Sequence, residues 1–512
     1  MFFSNQKILP RILIAGIILL IYFSDSSFFK SYSQVGSFES SSPMPQTETV
    51  TSYYDALLKA PLIVSQTAVV GIVFGHIFFQ RVIRNHLPLT RNRDNINTNT
   101  LYDTINLHPL RRLIIILLSC GIAILLSATS LFMLQAVSLS SELGIDISTT
   151  ITILSSTPVG PVWNIRVITS LIIIASSIAY YICGKKFSVK KGQTDPEINF
   201  SHKKTGKKRG VLFNGLLYTI LLAGAVCIYS NSMVSHNAAL SFLPSLAISL
   251  DWFHFMAVSI WLGGLFYITS ILLRTIRVSI KKNGNTDGTV SGTFDVNTVH
   301  NSSYLLALLL PYFSLIATIS LGIIGVTGLY MAWIHLHTAE AIFTSSYGNI
   351  LAIKLLLILP MVILGGYHQI KLHGSLMSVA SFRKSRLEQQ REEINAYNLK
   401  STNDLDRSTF PLRNSPSEKF SKTVKIESLI GIGVLVAASF LTITSPPSIS
   451  LQEPTSTPGL LGEESQQDYI PSFDSFTFLA ILLSVAVIFG SIIYFKKSKQ
   501  QVRNTVYYLE GH

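Results

Sequence analysis

The sequence predicts an all-α protein, a polytopic bundle of about ten transmembrane helices, and three observations predict it. Hydrophobic residues make up 48% of the 512 residues and charged residues only 13%, against a charged share of roughly a quarter in soluble domains. Apolar runs long enough to cross about 30 Å of hydrocarbon recur along the chain. The basic residues between those runs alternate in abundance, as they do when loops alternate between two faces of a membrane.

The first run, 12–23, follows Lys7 and Arg11, the charge layout of a signal sequence, yet no small-x-small cleavage site follows it. Residues 1–23 are thus a cleaved signal peptide, which leaves nine spans, or a retained signal anchor. The Ser-rich segment 24–61 reads as an extracytoplasmic linker. A transmembrane domain then occupies 62–447, with spans expected at 62–80, 113–137, 163–182, 211–229, 252–273, 305–331, 350–367 and 426–445. Pro311 and Pro360 fall inside two of them, where neighbouring helices re-satisfy the freed backbone groups. Within this domain 368–425 is expected as a long cytoplasmic loop with a charged start. An extracytoplasmic loop, 448–475, leads to a last span and cytoplasmic tail in 476–512.

With the N-terminus inside, the inner loops and tail carry 34 of the 40 Lys and Arg residues, and the outer loops carry only Lys30 and Lys59. This fixes the orientation and puts both termini in the cytoplasm if the first span is retained. It also accounts for the net charge of +13 as topology, so no nucleic acid is expected as a partner; the bilayer is. Cys120, Cys183 and Cys227 show no CxxC spacing, which supports neither a disulfide framework nor a zinc ribbon. No phosphate-binding or dinucleotide motif is present, which argues against an ATP-driven pump. The expectation is a multi-pass protein of the cell membrane that is not an enzyme.

The stretch that concentrates chemistry is 251–267. Asp251 and His254 lie three residues apart on one helical face at the start of an apolar run. Ionisable groups at that depth are costly and point to function; Asp251 is otherwise a cap on the helix start. Trp261 and Gly263-Gly264 follow, where another backbone is able to approach closely.

On the outer side, His254 is joined by His236, His335 and His337. Imidazoles from three segments suit a copper or zinc ion, and the nearby thioethers of Met233, Met256 and Met331 favour soft Cu(I). His335-Leu-His337 grips one metal if extended, whereas in a helix the two rings diverge. Asp251 is a candidate to orient His254 from behind. Arg166 and Lys354 lie inside spans near their outer ends, where they snorkel, pair with acids or hold an anionic group. Tyr347-Gly348 reads as a turn, and Glu427 as an acid at a helix start.

Taken as an ordered series, these residues resemble the copper resistance D (CopD) family. The points of likeness are Thr157-Pro-Val-Gly160 with Arg166, His236, and Asp251-x-x-His254 with Trp261-Leu-Gly-Gly264. They continue through Phe313-Ser314-x-x-Ala317, Gly328, Tyr347-Gly348 with Lys354, Glu427 and Pro446-Pro447. The likeness covers about 113–447. It implies a helical membrane protein that handles a copper ion, Cu(I) or Cu(II), and moves it from the outer face toward the cytoplasm. It also implies a copper-binding extracytoplasmic partner of the copper resistance C (CopC) type. The segment 24–61 is too short to house such a domain, so that partner would be a separate protein.

Two alternatives stand beside this expectation. Paired histidines on spans also serve as axial ligands in haem-binding electron-transfer proteins. A protein of assembly or sensing would bind metal without moving it.

Overall fold

The computed structural model describes residues 48–91, 98–157, 159–191, 202–239, 244–275, 296–336, 338–372, 374–375 and 416–447, with scattered positions between 490 and 504. The expectations for the first run, for most of the 368–425 loop, for the 448–475 loop and for the bulk of the last span lie outside these residues, as does His337.

All regular structure among the described residues is helical: α1 (Glu48–Arg91), α2 (Thr98–Leu143), α3 (Ile147–Ser156), α4 (Val159–Lys191) and α5 (His202–Ser232) come first. A short 3₁₀ turn (His236–Ala239) leads to α6 (Pro244–Tyr267), α7 (Val296–Leu336), α8 (Ala341–Thr344), α9 (Ser346–Tyr367) and α10 (Pro416–Leu441). Eight of these are long and apolar enough to cross a membrane. Helices are what such a sequence dictates, because a backbone group without an internal partner costs several kcal/mol in hydrocarbon. The protein is an all-α transmembrane bundle.

Several expected boundaries move. Helix α1 begins at Glu48, inside the segment read as a linker, and its spanning part begins at Tyr53. Helix α6 begins at Pro244, so Asp251 lies well inside it and is not an N-cap. Helix α10 begins at Pro416, so Glu427 also lies in a helix interior and not at its start. Sequence patterning missed the starts of α1 and α10 because their opening turns are polar enough to resemble loop, and that of α6 because Asp251 looked like the cap of a helix that in fact begins two turns earlier.

Helices α1 and α6 form the centre: 78% of the most apolar stretch of α1 and 72% of that of α6 are buried, against 6% for α9 at the rim. The two central helices run parallel and meet backbone to backbone. A Cβ built on Gly71 would sit 2.1 Å from the Ser259 carbonyl oxygen and 2.3 Å from Gly263 Cα. One turn on, the space beside Gly75 is filled by Tyr267, whose ring stacks on Phe79 at 5.5 Å. Gly264 faces the other way, against the ring of Phe313 on α7. Trp261 is buried in the same core. Gly144, at φ 65°, ends α2 in the left-handed conformation that suits a residue without Cβ.

The pairings α2 with α4, α4 with α5, α6 with α7 and α9 with α10 are antiparallel neighbours, and two ends of the bundle result. One end, the His335 end, carries the described connecting residues 144–157, 233–239 and 338–345. The other is the His368 end. Helices α6 and α9 each finish there in a π-helical turn, Ile268–Leu272 and His368–Leu372.

Candidate metal site at the His335 end

Three aromatic side chains meet at the His335 end. The rings of His236 and His335 have centres 6.3 Å apart, and Tyr347 lies 6.4 Å from the first and 6.0 Å from the second. Each ring arrives on a different element. His236 opens the 3₁₀ turn after α5, and His335 stands in the last turn of α7. Tyr347 is placed by α9, whose N-cap Ser345 accepts a hydrogen bond from Gly348 N at 2.9 Å. No side chain fits at position 348, since a Cβ there would meet the Ala341 carbonyl oxygen at 2.2 Å.

Hydrogen bonds assign the ring nitrogens. Nε2 of His335 lies 2.9 Å from Oδ1 of Asn237, and Nδ2 of Asn237 donates to the Met331 sulfur at 3.5 Å. An amide oxygen only accepts, so Nε2 of His335 carries the proton and Nδ1 is its acceptor nitrogen. Nε2 of His236 is buried without a hydrogen-bond partner. Burial, and then the charge of Lys59, hold the His236 imidazole below its ordinary pKa. The neutral imidazole, with one nitrogen free of a proton, is the form that binds a metal.

His254 stands apart from this pair. Its Nδ1 meets Oγ1 of Thr327 at 2.9 Å, and Gly328 makes room for the ring, a Cβ there falling 3.3 Å from Cε1. Thr327 precedes His335 by eight residues of α7, about 12 Å of helix rise, so His254 lies deeper in the bundle. Among the described residues no hydrogen bond or ion pair joins Asp251 to His254, whose Nδ1 is taken by Thr327. Met233 is buried in the turn after α5.

Arg166 anchors a separate polar chain. Its guanidinium donates to Ser230 at 3.2 Å and to Asn231 at 3.0 Å; Asn231 donates to Gln66 at 2.5 Å, and Gln66 reaches the Cys227 sulfur at 3.2 Å. The structure thus joins His236 with His335, but leaves His254 and Arg166 in surroundings of their own. Among the described residues no group of three or more His, Cys, Asp or Glu side chains is placed to hold one metal ion. Gln66, Asn231, Asn237 and Thr327 were not singled out from the sequence; an amide inside an apolar run was the available signal for the first two.

A polytopic helical membrane protein is the class that this architecture defines. Residues 307–441 match the family model described as CopD, copper resistance protein D, which supports a CopD-family copper-resistance membrane protein. The match spans α7 to α10 and takes in His335, Tyr347, Lys354 and Glu427; His236, Asp251, His254 and Arg166 lie before it. No curated protein and no solved structure matches the chain.

Proposed function

We propose that this protein moves copper across the membrane, entering at the His335 end, which the distribution of basic residues puts outside, and travelling toward the cytoplasm. The observation that carries the reading is the pair His236 and His335. An ion 2.0–2.1 Å from a ring nitrogen lies about 3.2 Å from the ring centre, so two imidazoles on one ion have centres up to about 6.4 Å apart. The observed 6.3 Å falls within that reach, and Nε2 of His236 has no hydrogen-bond partner. Two neutral nitrogens with a thioether nearby suit Cu(I).

His254 is the next station. Its Nδ1 is held by Thr327, which leaves Nε2 as the acceptor for an ion that has left the outer pair. Lys354 on α9 and Asp251 on α6 carry opposite charges, which together leave little net charge against a monovalent cation. No nucleotide is needed, because an inside-negative potential contributes about 2.3 kcal/mol per charge per 100 mV. A separate extracytoplasmic copper-binding protein of the CopC type is the donor that this reading calls for.

The test compares the purified full-length protein with a His236→Ala/His335→Ala variant, loaded with Cu(I) and with Zn(II) in parallel, then assays copper uptake in vesicles. Loss of one bound Cu(I) per chain together with uptake supports the reading. Equal Cu(I) in both forms removes the pair as ligands. Binding without uptake reassigns the protein to metal sensing or assembly.

A further inference from the structure

At the opposite end of the bundle, His368 and Glu427 face each other in a place where neither is exposed, their side chains being 6% and 2% accessible. His368 opens the π-helical turn that ends α9, and Glu427 sits on α10. The two approach with Nδ1 and Oε2 3.4 Å apart, and Oε2 has no hydrogen-bond partner. Gly365, one turn before His368, leaves space beside the carboxylate, since a Cβ there would fall 3.9 Å from Oε1.

The protonation of the imidazole follows from its other neighbour. Nε2 of His368 lies 2.6 Å from Oγ1 of Thr423. That hydroxyl already donates to a backbone carbonyl, with Lys419 O at 3.0 Å and Phe420 O at 3.1 Å. Its one proton is spent there, so toward His368 it accepts, and Nε2 carries the ring proton. Nδ1 then presents a lone pair to a carboxylate oxygen. Two buried acceptors turned toward each other repel unless a cation lies between them.

A shared proton would draw such a pair together to about 2.7–2.9 Å. A metal ion holds its ligands further apart: bonds of 2.0–2.2 Å at a tetrahedral angle put the two donor atoms about 3.3–3.5 Å from each other. The observed separation fits the second arrangement. Thr423 then plays the part usual behind a metal-bound histidine, fixing the tautomer and the ring orientation through the nitrogen that does not ligate.

We propose that Nδ1 of His368 and Oε2 of Glu427 form a second metal-binding position at the His368 end, which takes a divalent ion of borderline hardness, Cu(II) ahead of Zn(II). One imidazole nitrogen and one carboxylate oxygen suit such an ion better than Cu(I), and Cu(II) stands highest in the divalent series. Water completes the shell. This position does not rest on the transport reading, whose cargo is Cu(I): it takes an ion that arrives already divalent, and no change of oxidation state is involved.

The test titrates the full-length protein with Cu(II) in detergent and follows it by electron paramagnetic resonance. The His236→Ala/His335→Ala variant is expected to retain one Cu(II) per chain with nitrogen coupling. Glu427→Gln and His368→Gln lower that affinity at least tenfold, Thr423→Val lowers it about 10–100-fold, and Glu427→Asp keeps it, which shows that the fold survives a change at this position. Cu(II) binding that is unaltered by Glu427→Gln overturns the proposal. So does a protonated Glu427 carboxyl, seen by its infrared C=O band, that persists in saturating Cu(II). Because binding is read without uptake, failure of the transport reading and failure of this position give different results.

Discussion

Nδ1 of His254 lies 2.9 Å from Oγ1 of Thr327 across the seam between α6 and α7, and this contact decides which ring nitrogen is left to bind. The Thr327 hydroxyl donates to the Ile323 carbonyl at 2.6 Å, so it accepts from Nδ1–H. Thr327→Val removes that acceptor while keeping the shape. The expected cost is about 0.5–1.5 kcal/mol of stability, read by thermal unfolding in detergent, with a larger proportional loss of copper uptake. Uptake equal to wild type would show that the tautomer of His254 does not matter to transport.

The central crossing of α1 and α6 gives a second prediction. Gly71→Ala places a methyl group 2.1 Å from the Ser259 carbonyl oxygen, and backbone on both sides leaves nothing flexible to yield. Overpacking costs typically about 1–3 kcal/mol, and this substitution falls at the upper end. Gly366→Ala is the control, since its Cβ meets nothing within 4 Å; it is neutral or gains up to about 1 kcal/mol of helix propensity. Equal melting temperatures for the two variants would contradict the close approach.

The class of fold was legible because lipid permits so few solutions. Each apolar run had to be a helix, and the runs could be counted. Helix starts were not legible at Glu48 and Pro416, where polar turns continue a helix beyond its apolar part, nor at Pro244, where Asp251 interrupts an apolar run and resembles a cap. At the site, the pairing of His236 with His335 depends on how the end of α7 lies over the 3₁₀ turn, which no spacing along one chain encodes. Asp251 and His254 share a face three residues apart, yet Thr327, on another helix, takes the His254 ring. Glu427 reads from the sequence only as a helix-start acid, because its relationship with His368 spans a long connection.

Arg166 supplies a third test. Arg166→Ala takes the donor away from Asn231 and from Ser230 and strands the Asn231 carbonyl, for about 1–3 kcal/mol. Arg166→Lys recovers less than half, since an ammonium lacks the planar fork that serves both acceptors. Unfolding midpoints of the two variants check the order; a fully stable Arg166→Ala would show that the chain from Gln66 to Arg166 contributes nothing.

Acid acts on α3 through its cap. Asp146 accepts hydrogen bonds from both the amide and the hydroxyl of Ser148, the amide at 3.0 Å, and these hold its carboxyl below the usual range. The folded value lies under the unfolded one. The cap is therefore fully effective above the unfolded pKa, about 3.9, and is lost as pH falls through the folded value. Amide hydrogen exchange at 148–150, corrected for its intrinsic pH dependence, is expected to quicken in that acidic range. Asp146→Asn, which keeps a short polar acceptor, should remove the pH step; a step that persists would assign it elsewhere.

Asn237 is the residue through which the outer pair is best probed, because it touches His335 without being a candidate ligand itself. Its carbonyl fixes Nε2 of His335 as the protonated nitrogen, and its amide is oriented by the Met331 sulfur. Removing a partner behind a metal-bound histidine costs about 10–100-fold in affinity. Asn237→Ala is therefore expected to weaken Cu(I) binding by that factor, measured by competition with a chelator, and Asn237→Asp to restore it by offering the same acceptor. Met331→Leu distinguishes two roles for the thioether. If sulfur only orients Asn237, the loss is smaller than for Asn237→Ala and the two losses do not add. If sulfur ligates copper, the loss is at least as large and the double variant is worse than either. The 3.5 Å contact from Nδ2 to the sulfur already occupies one of its lone pairs, and the first outcome is the one expected.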